Sequence, residues 1–145
     1  MPDNLTPAQR SYMMSRVRSV DTTPELAVRR LAHARGLRYR KHSKWLPGRP
    51  DLAFCAAKVA VFVDGDYWHG WRFPAWRQKL TSYWREKIEG NRRRDQRNFR
   101  KLRKNGWLVI RVWEHDIRQD AEGCMDRIET AVRKRSARKI NGTPR

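Results

Sequence analysis

Residues 48–71 read GRPDLAFCAAKVAVFVDGDYWHGW, and the interpretation of this stretch decides the fold. It opens with a turn, because Gly48 lies between Pro47 and Pro50. "DLAF" (51–54) then has the length and composition of a short strand. "KVAVFVDG" (58–65) is a continuous apolar run rather than an alternating one. A run of that kind is expected of a strand covered on both faces. A tight connection around "CAAK" would fold the two strands into a hairpin and bring Asp51 and Asp64 toward each other. Two carboxylates placed together repel, and burial sharpens the repulsion. A divalent cation offsets it, and magnesium typically uses one or two carboxylates with waters and phosphate oxygens.

Upstream, "DTTPELAVRRLAHARG" (21–36) carries the signals of a helix. Thr22 or Thr23 can cap it, Pro24 suits its first turn, and Glu25 favours its positive end. Leu26, Val28, Leu31 and Ala32 recur at helical spacing, and Gly36 ends the segment. A shorter helix is expected over about 7–17, carrying Arg10, Met13, Met14 and Arg16, and "LRYRKH" (37–42) is expected as a first strand. Downstream, residues 65–76 form a loop rich in Gly, Trp and Pro, and 77–105 are helical and strongly charged, closed by Gly106. "WLVIRVWE" (107–114) is another β-branched strand, and "DRIETAVRKRSARK" (126–139) makes a last helix. The order helix, helix, three strands, long helix, strand, helix predicts an α/β domain with a mixed central sheet flanked by helices. One domain over 1–135, with an N-terminal helical arm, would be followed by a basic, flexible tail at 136–145.

The formal net charge is +19, from 34 Lys and Arg against 15 Asp and Glu. A charge of that size points to a polyanionic partner, and the dominance of arginine favours nucleic acid phosphate over a membrane surface. No apolar run is long enough to span a bilayer, and MPDNLTPAQR lacks the core of a signal peptide, so a cytoplasmic, nucleoid-associated location is expected. Cys55 and Cys124 make neither a metal-spaced set nor a disulfide framework. The stretch "REKIEGNRRRDQRNFRKLRK" (85–104) has more arginine than internal pairing needs, which favours phosphate contact over a merely solvated helix.

In so basic a chain, a carboxylate-held metal points to phosphodiester cleavage. His69, five residues past Asp64, could take the proton from an attacking water, and Glu25 could join as a metal-shell or hydrogen-bonding partner. Each residue also has a bland alternative. Asp51 and Asp64 could be turn residues and His69 a surface histidine, but their coincidence in one strand context favours a site. Tyr67, Trp68, Trp71, Trp76 and Trp84 crowd one region, where some must be core and others could wedge between base pairs.

Four separated motifs, "LPGRPDLAF", "VFVDGDYWHG", "YWREKIEGNRRRD" and "NGWLVIRVWE", occur in order, and with the "DTTPEL" helix entry the chain resembles the very-short-patch repair endonucleases from about Arg10 to Glu114. The resemblance implies a restriction-endonuclease-like fold of the PD-(D/E)xK type. It implies a nick on the 5′ side of the mispaired T in T:G mismatches, which arise from deamination of 5-methylcytosine. By motif position Asp51 would be the chief magnesium ligand, Val63 would add a backbone carbonyl, and His69 would be the water-activating base supported by Glu25. Asp64 would bind metal or position water, and His69 would replace the lysine that this fold usually carries. Tyr67, Trp68 and Trp84 match the intercalating aromatics. Lys87 and Asn91 would reach the mismatched pair, Met14 would probe the opposite groove, and Arg16 is a further DNA-binding candidate.

The chain departs from the resemblance where well-known members hold a structural zinc. Those ligand positions fall on Asp66, Trp71, Phe73 and His115, so no structural zinc is expected, the alternative being a site built from Asp66, His115 and one other ligand. The implied partner is double-stranded DNA bearing a T:G mismatch. Other mismatch-repair proteins are candidate partners, and a monomer suffices to cut one strand. The rival readings are a restriction or modification-dependent endonuclease of the same fold, and a DNA-binding module without cleavage.

Overall fold

The computed structural model describes residues 6–7, 22–65 and 82–140. The expected helix over 7–17 therefore lies almost wholly outside the described residues. Helix α1 spans Thr23–Ala34 and is started by a capping box, in which the Thr22 hydroxyl accepts from the Glu25 N–H while the Glu25 carboxylate accepts from the Thr22 N–H. Gly36, at φ 71°, turns the chain out of the helix, and the Leu37 N–H closes onto the Ala32 carbonyl.

Four strands follow: β1 (Arg40–Lys41), β2 (Leu52–Phe54), β3 (Val59–Asp64) and β4 (Leu108–Trp113), in the spatial order β1-β2-β3-β4. β1–β2 and β2–β3 are antiparallel and β3–β4 is parallel, so the sheet is mixed as expected. A parallel pair needs a crossover connection, and helix α2 (Ser82–Lys104) lies in it. The first strand is shorter than "LRYRKH" suggests. Only Arg40 and Lys41 pair, opposite Ala53 and Leu52.

The two faces of β3 explain its unbroken apolar run. Val59 and Val61 join Leu52, Phe54 and Val112 against Val28 and Ala32 of α1 and against the last helix. Ala60 and Phe62 face the other way, with Ala53, toward Phe99 and Leu102 of α2 and Trp107. Phe62 meets Phe99 edge-on, with ring centroids 4.9 Å apart. Gly48 fits beneath this contact: at φ 77° a Cβ on it would lie 3.1 Å from the Phe62 ring and 3.1 Å from Cβ of Asn98. Gly48→Ala should therefore destabilise the fold by about 2 kcal/mol, combining left-handed backbone strain with crowding. Denaturant titration checks this, and an unchanged midpoint would refute it.

Helix α3 (Glu114–Ile140) begins directly after β4, twelve residues before the last helix expected at Asp126. It is broken at Asp120 (φ −157°, ψ 77°), whose Oδ1 accepts from the Gly123 N–H at 2.9 Å. Asp120 thus caps the longer second stretch, and the break interrupts the periodicity that would have revealed the first. The helix continues to Ile140, into the stretch expected as a tail. Among the described residues no helix is long and apolar enough to cross a membrane.

Arg35, at the end of α1, reaches three carboxylates of α3: Glu122 at 2.5 Å, Asp126 at 2.7 Å and Glu129 at 3.0 Å. Hydrogen bonds from Arg133 and then Arg35 hold the Glu129 carboxyl below its usual range. A depressed carboxyl contributes stability above its unfolded value and loses it as pH falls through its folded one. Mild acid should thus lower the melting temperature less in Glu129→Gln than in the native chain, and equal acid sensitivity would count against this contact.

Candidate active site

The hairpin places Asp51 at the mouth of β2, across from the end of β3. Its Oδ2 accepts a hydrogen bond from the Val63 N–H at 2.6 Å, and its carbonyl accepts from the His42 N–H at 3.4 Å. Asp51 is thereby tied to two main-chain segments, through its carboxylate to β3 and through its own carbonyl to the segment after β1. Glu25 is buried at 1% exposure on the first turn of α1. Its Oε1 lies 3.2 Å from Nη1 of Arg29, one helical turn on, and 3.1 Å from Nε2 of His42. Glu25, His42 and Asp51 can offer ligand atoms all within 4.8 Å of one another.

Positive charge already sits within this set. Nη1 of Arg29 is 3.2 Å from both Glu25 Oε1 and His42 Nε2. The cation between those two side chains is therefore a guanidinium, and a buried carboxylate beside it is already neutralised. Asp51 is the member of the trio suited to a hard divalent cation, since an ionised carboxylate offers only acceptor oxygens.

Asp64 has a different neighbourhood. It is 4% exposed, on the α2 side of the sheet, with its Oδ2 2.5 Å from Nε of Arg111. Arg111 also binds Asp95 of α2 through Nη2 at 2.7 Å, and its guanidinium lies over the rings of Trp113 (4.3 Å) and Phe99 (5.2 Å). The hairpin does bring Asp51 to Val63, next in sequence to Asp64, with the Asp51 carboxylate on the Val63 N–H and the Asp64 carboxylate on Arg111.

Of the other expected site residues, Met14, Arg16, Tyr67, Trp68 and His69 lie outside the described residues, as do the positions Asp66, Trp71 and Phe73. His115 has Nε2 3.2 Å from Oδ1 of Asp116. Trp84 is 5% exposed and meets Tyr83 edge-on, so its ring sits in the packed interior here. Lys87 and Asn91 lie one turn apart on α2, both half-buried. Arg29, His42, Asp95 and Arg111 were not singled out from the sequence as site residues. Only the i,i+4 spacing of Glu25 and Arg29 carried a local signal for their pairing.

Beside Arg111, a groove of about 340 Å³ between α2 and β4 is lined by Gln96, Phe99, Arg100, Arg103, Val109 and Arg111. Arg111 is taken up by Asp64 and Asp95, but Arg100 and Arg103, with no acid among the lining residues, suit phosphate.

A mixed four-stranded sheet with an acidic residue at the mouth of its central hairpin, on so basic a chain, has the construction of a restriction-endonuclease-like nuclease. The family described as DNA mismatch endonuclease Vsr matches residues 2–74. A type II nicking enzyme, V.NmeDIP of Neisseria meningitidis serogroup C, is 42% identical over 137 residues, covering 90% of each chain. V.XorIIP, a type II nicking enzyme of Xanthomonas oryzae pv. oryzae, is 44% identical over 119 residues, covering 81% of this chain and 88% of its own. The DNA mismatch endonuclease Vsr of Escherichia coli K12 is 35% identical over 123 residues, covering 81% of this chain and 77% of its own. The chain belongs to the Vsr family and is a DNA endonuclease of restriction-endonuclease-like fold.

Proposed function

We propose that this endonuclease is magnesium-dependent and nicks one strand of duplex DNA on the 5′ side of the mispaired T in a T:G mismatch. The observation that carries the reading is the placement of Asp51. Its carboxylate is locked onto the Val63 main chain at the end of the β2–β3 hairpin, beside a buried Glu25. Asp51 would hold the ion, with the Val63 carbonyl as a second oxygen and Asp64 as a further ligand or water-positioning group. Bound there, magnesium would stabilise the charge that develops on the phosphate. His69 would accept the proton of the attacking water, as its motif position implies. The names of the relatives, nicking enzyme and mismatch endonuclease, support single-strand cleavage and a mismatched substrate.

The arginine groove beside Arg111 and the charge of α2 would hold the duplex through phosphates. Arg100→Ala and Arg103→Ala should each weaken binding to paired and mismatched duplexes alike, and lower the slope of log affinity against log salt by about one. Unchanged slopes would remove the groove from the footprint.

The reading as a whole is tested by strand-resolved cleavage of two duplexes of one sequence, one with a single T:G mismatch and one fully paired, with magnesium or a chelator. A magnesium-dependent nick confined to the T strand of the mismatch is expected. Cutting of both duplexes would favour a restriction-like activity.

A further inference from the structure

We propose that His42 is a positioning residue of the cleavage site, holding Asp51 in place by anchoring the junction between β1 and β2 to Glu25. The inference deepens the cleavage reading above and rests on it. His42 is tied at both ends. Its main-chain N–H donates to the carbonyl of Asp51, and its ring Nε2 lies 3.1 Å from Oε1 of buried Glu25. Nε2 also lies 3.2 Å from Nη1 of Arg29, so the ring docks on the Glu25–Arg29 pair, donating to Glu25 Oε1 with the proton on Nε2 and accepting from the guanidinium with the proton on Nδ1. Glu25 is in turn fixed by the capping box at the start of α1. The chain of contacts therefore runs from the first turn of α1, through the imidazole, to the main chain of Asp51.

The backbone supports the same reading. His42 has φ 50°, in the left-handed region, which is uncommon for a residue with a side chain and costs free energy that other contacts must offset. The pairing of β1 with β2 ends at Lys41, and past it the bond from the His42 N–H to the Asp51 carbonyl is long, 3.4 Å, and gives the segment facing Asp51 little hold. The imidazole supplies that hold where the ladder stops. Without it, the Asp51 carboxylate would keep its Val63 hydrogen bond, but the main chain beneath it would lose its attachment to α1.

Two amide variants isolate the contact. Both Asn and Gln can donate a hydrogen bond, and Asn is among the residues that best tolerate a left-handed backbone. An Asn amide overlays the Nδ1 side of the ring and falls short of Glu25. A Gln amide reaches the Nε2 position. His42→Asn should lower the single-turnover rate on a T:G duplex by about tenfold to a hundredfold, the range seen when groups that orient metal ligands are removed. It should leave duplex affinity within about twofold, because no phosphate contact is lost. Affinity for manganese alone, read by electron paramagnetic resonance on DNA-free protein, should fall alongside the rate. His42→Gln should restore most of both.

Thermal melts of each variant separate positioning from folding. Full activity and manganese affinity in His42→Asn would overturn the inference. So would equal losses in both variants, which would make the imidazole itself the required group. If the native protein fails to nick the T:G duplex, the functional reading fails instead, and the manganese measurement still decides the role of His42.

Discussion

Asp51→Asn is expected to abolish nicking, by on the order of a thousandfold or more, while the fold and duplex binding survive. The size follows from the work assigned to the carboxylate. Several kcal/mol of charge stabilisation depend on the ion it would hold, and each decade of rate is about 1.4 kcal/mol. The fold should survive because an Asn side-chain oxygen can still accept from the Val63 N–H that now bonds Asp51 Oδ2 at 2.6 Å. Duplex affinity has a definite sign. In chelator, removing a negative charge that faces a polyanion should leave binding unchanged or slightly tighter. With magnesium present, the native protein should gain affinity for the duplex and the variant should not. Gel-shift and strand-resolved cleavage on the same mismatched duplex read both effects. A variant that cleaves at the native rate would remove Asp51 from the metal site. A variant that neither binds nor melts cooperatively would show that Asp51 is chiefly a structural joint.

The parts of this site that were legible in the sequence are those set by local pattern. The capping box at Thr22 and Glu25 follows from residue types three apart, and the burial of β3 on both faces follows from its unbroken apolar run. The turn at Gly48 and the hairpin delivered Asp51 to the end of β3 for the same reason. What stayed hidden depends on contacts between distant segments. His42 lies 17 positions from Glu25 and nine from Asp51, and no periodicity links them. Arg111 reads as one basic residue among 34, yet it is the one that bridges Asp64 and Asp95 across the sheet and α2. The first stretch of α3 was missed for a local reason, since the break at Asp120 cuts the pattern.

Arg111→Met is the substitution expected to cost the most stability, about 3 kcal/mol. Methionine keeps much of the length and apolar contact of the arginine stem, so the packing against Phe99 and Trp113 is partly retained. The charge is not. Asp64 is almost fully buried and Asp95 half-buried, and both accept from the one guanidinium. Removing it leaves two carboxylates facing each other, and breaking a buried pair from one side costs about 3–5 kcal/mol. The lower end applies because the Arg111 side chain is itself 26% exposed and water screens part of the loss. The double variant Asp64→Asn with Arg111→Met should recover a large part of that stability, because the uncompensated buried charge is then gone. These two variants, together with Asp64→Asn alone, bear on what Asp64 does. If Asp64 is chiefly the counter-charge of Arg111, the double variant should melt near the native temperature and still nick a T:G duplex at a substantial rate. If Asp64 binds the metal or places the water, Asp64→Asn should lose cleavage whether or not Arg111 is present, with stability recovered but activity not. Melting temperature and single-turnover rate, measured on the same three variants, separate these outcomes because one reads the buried charge and the other reads the chemistry.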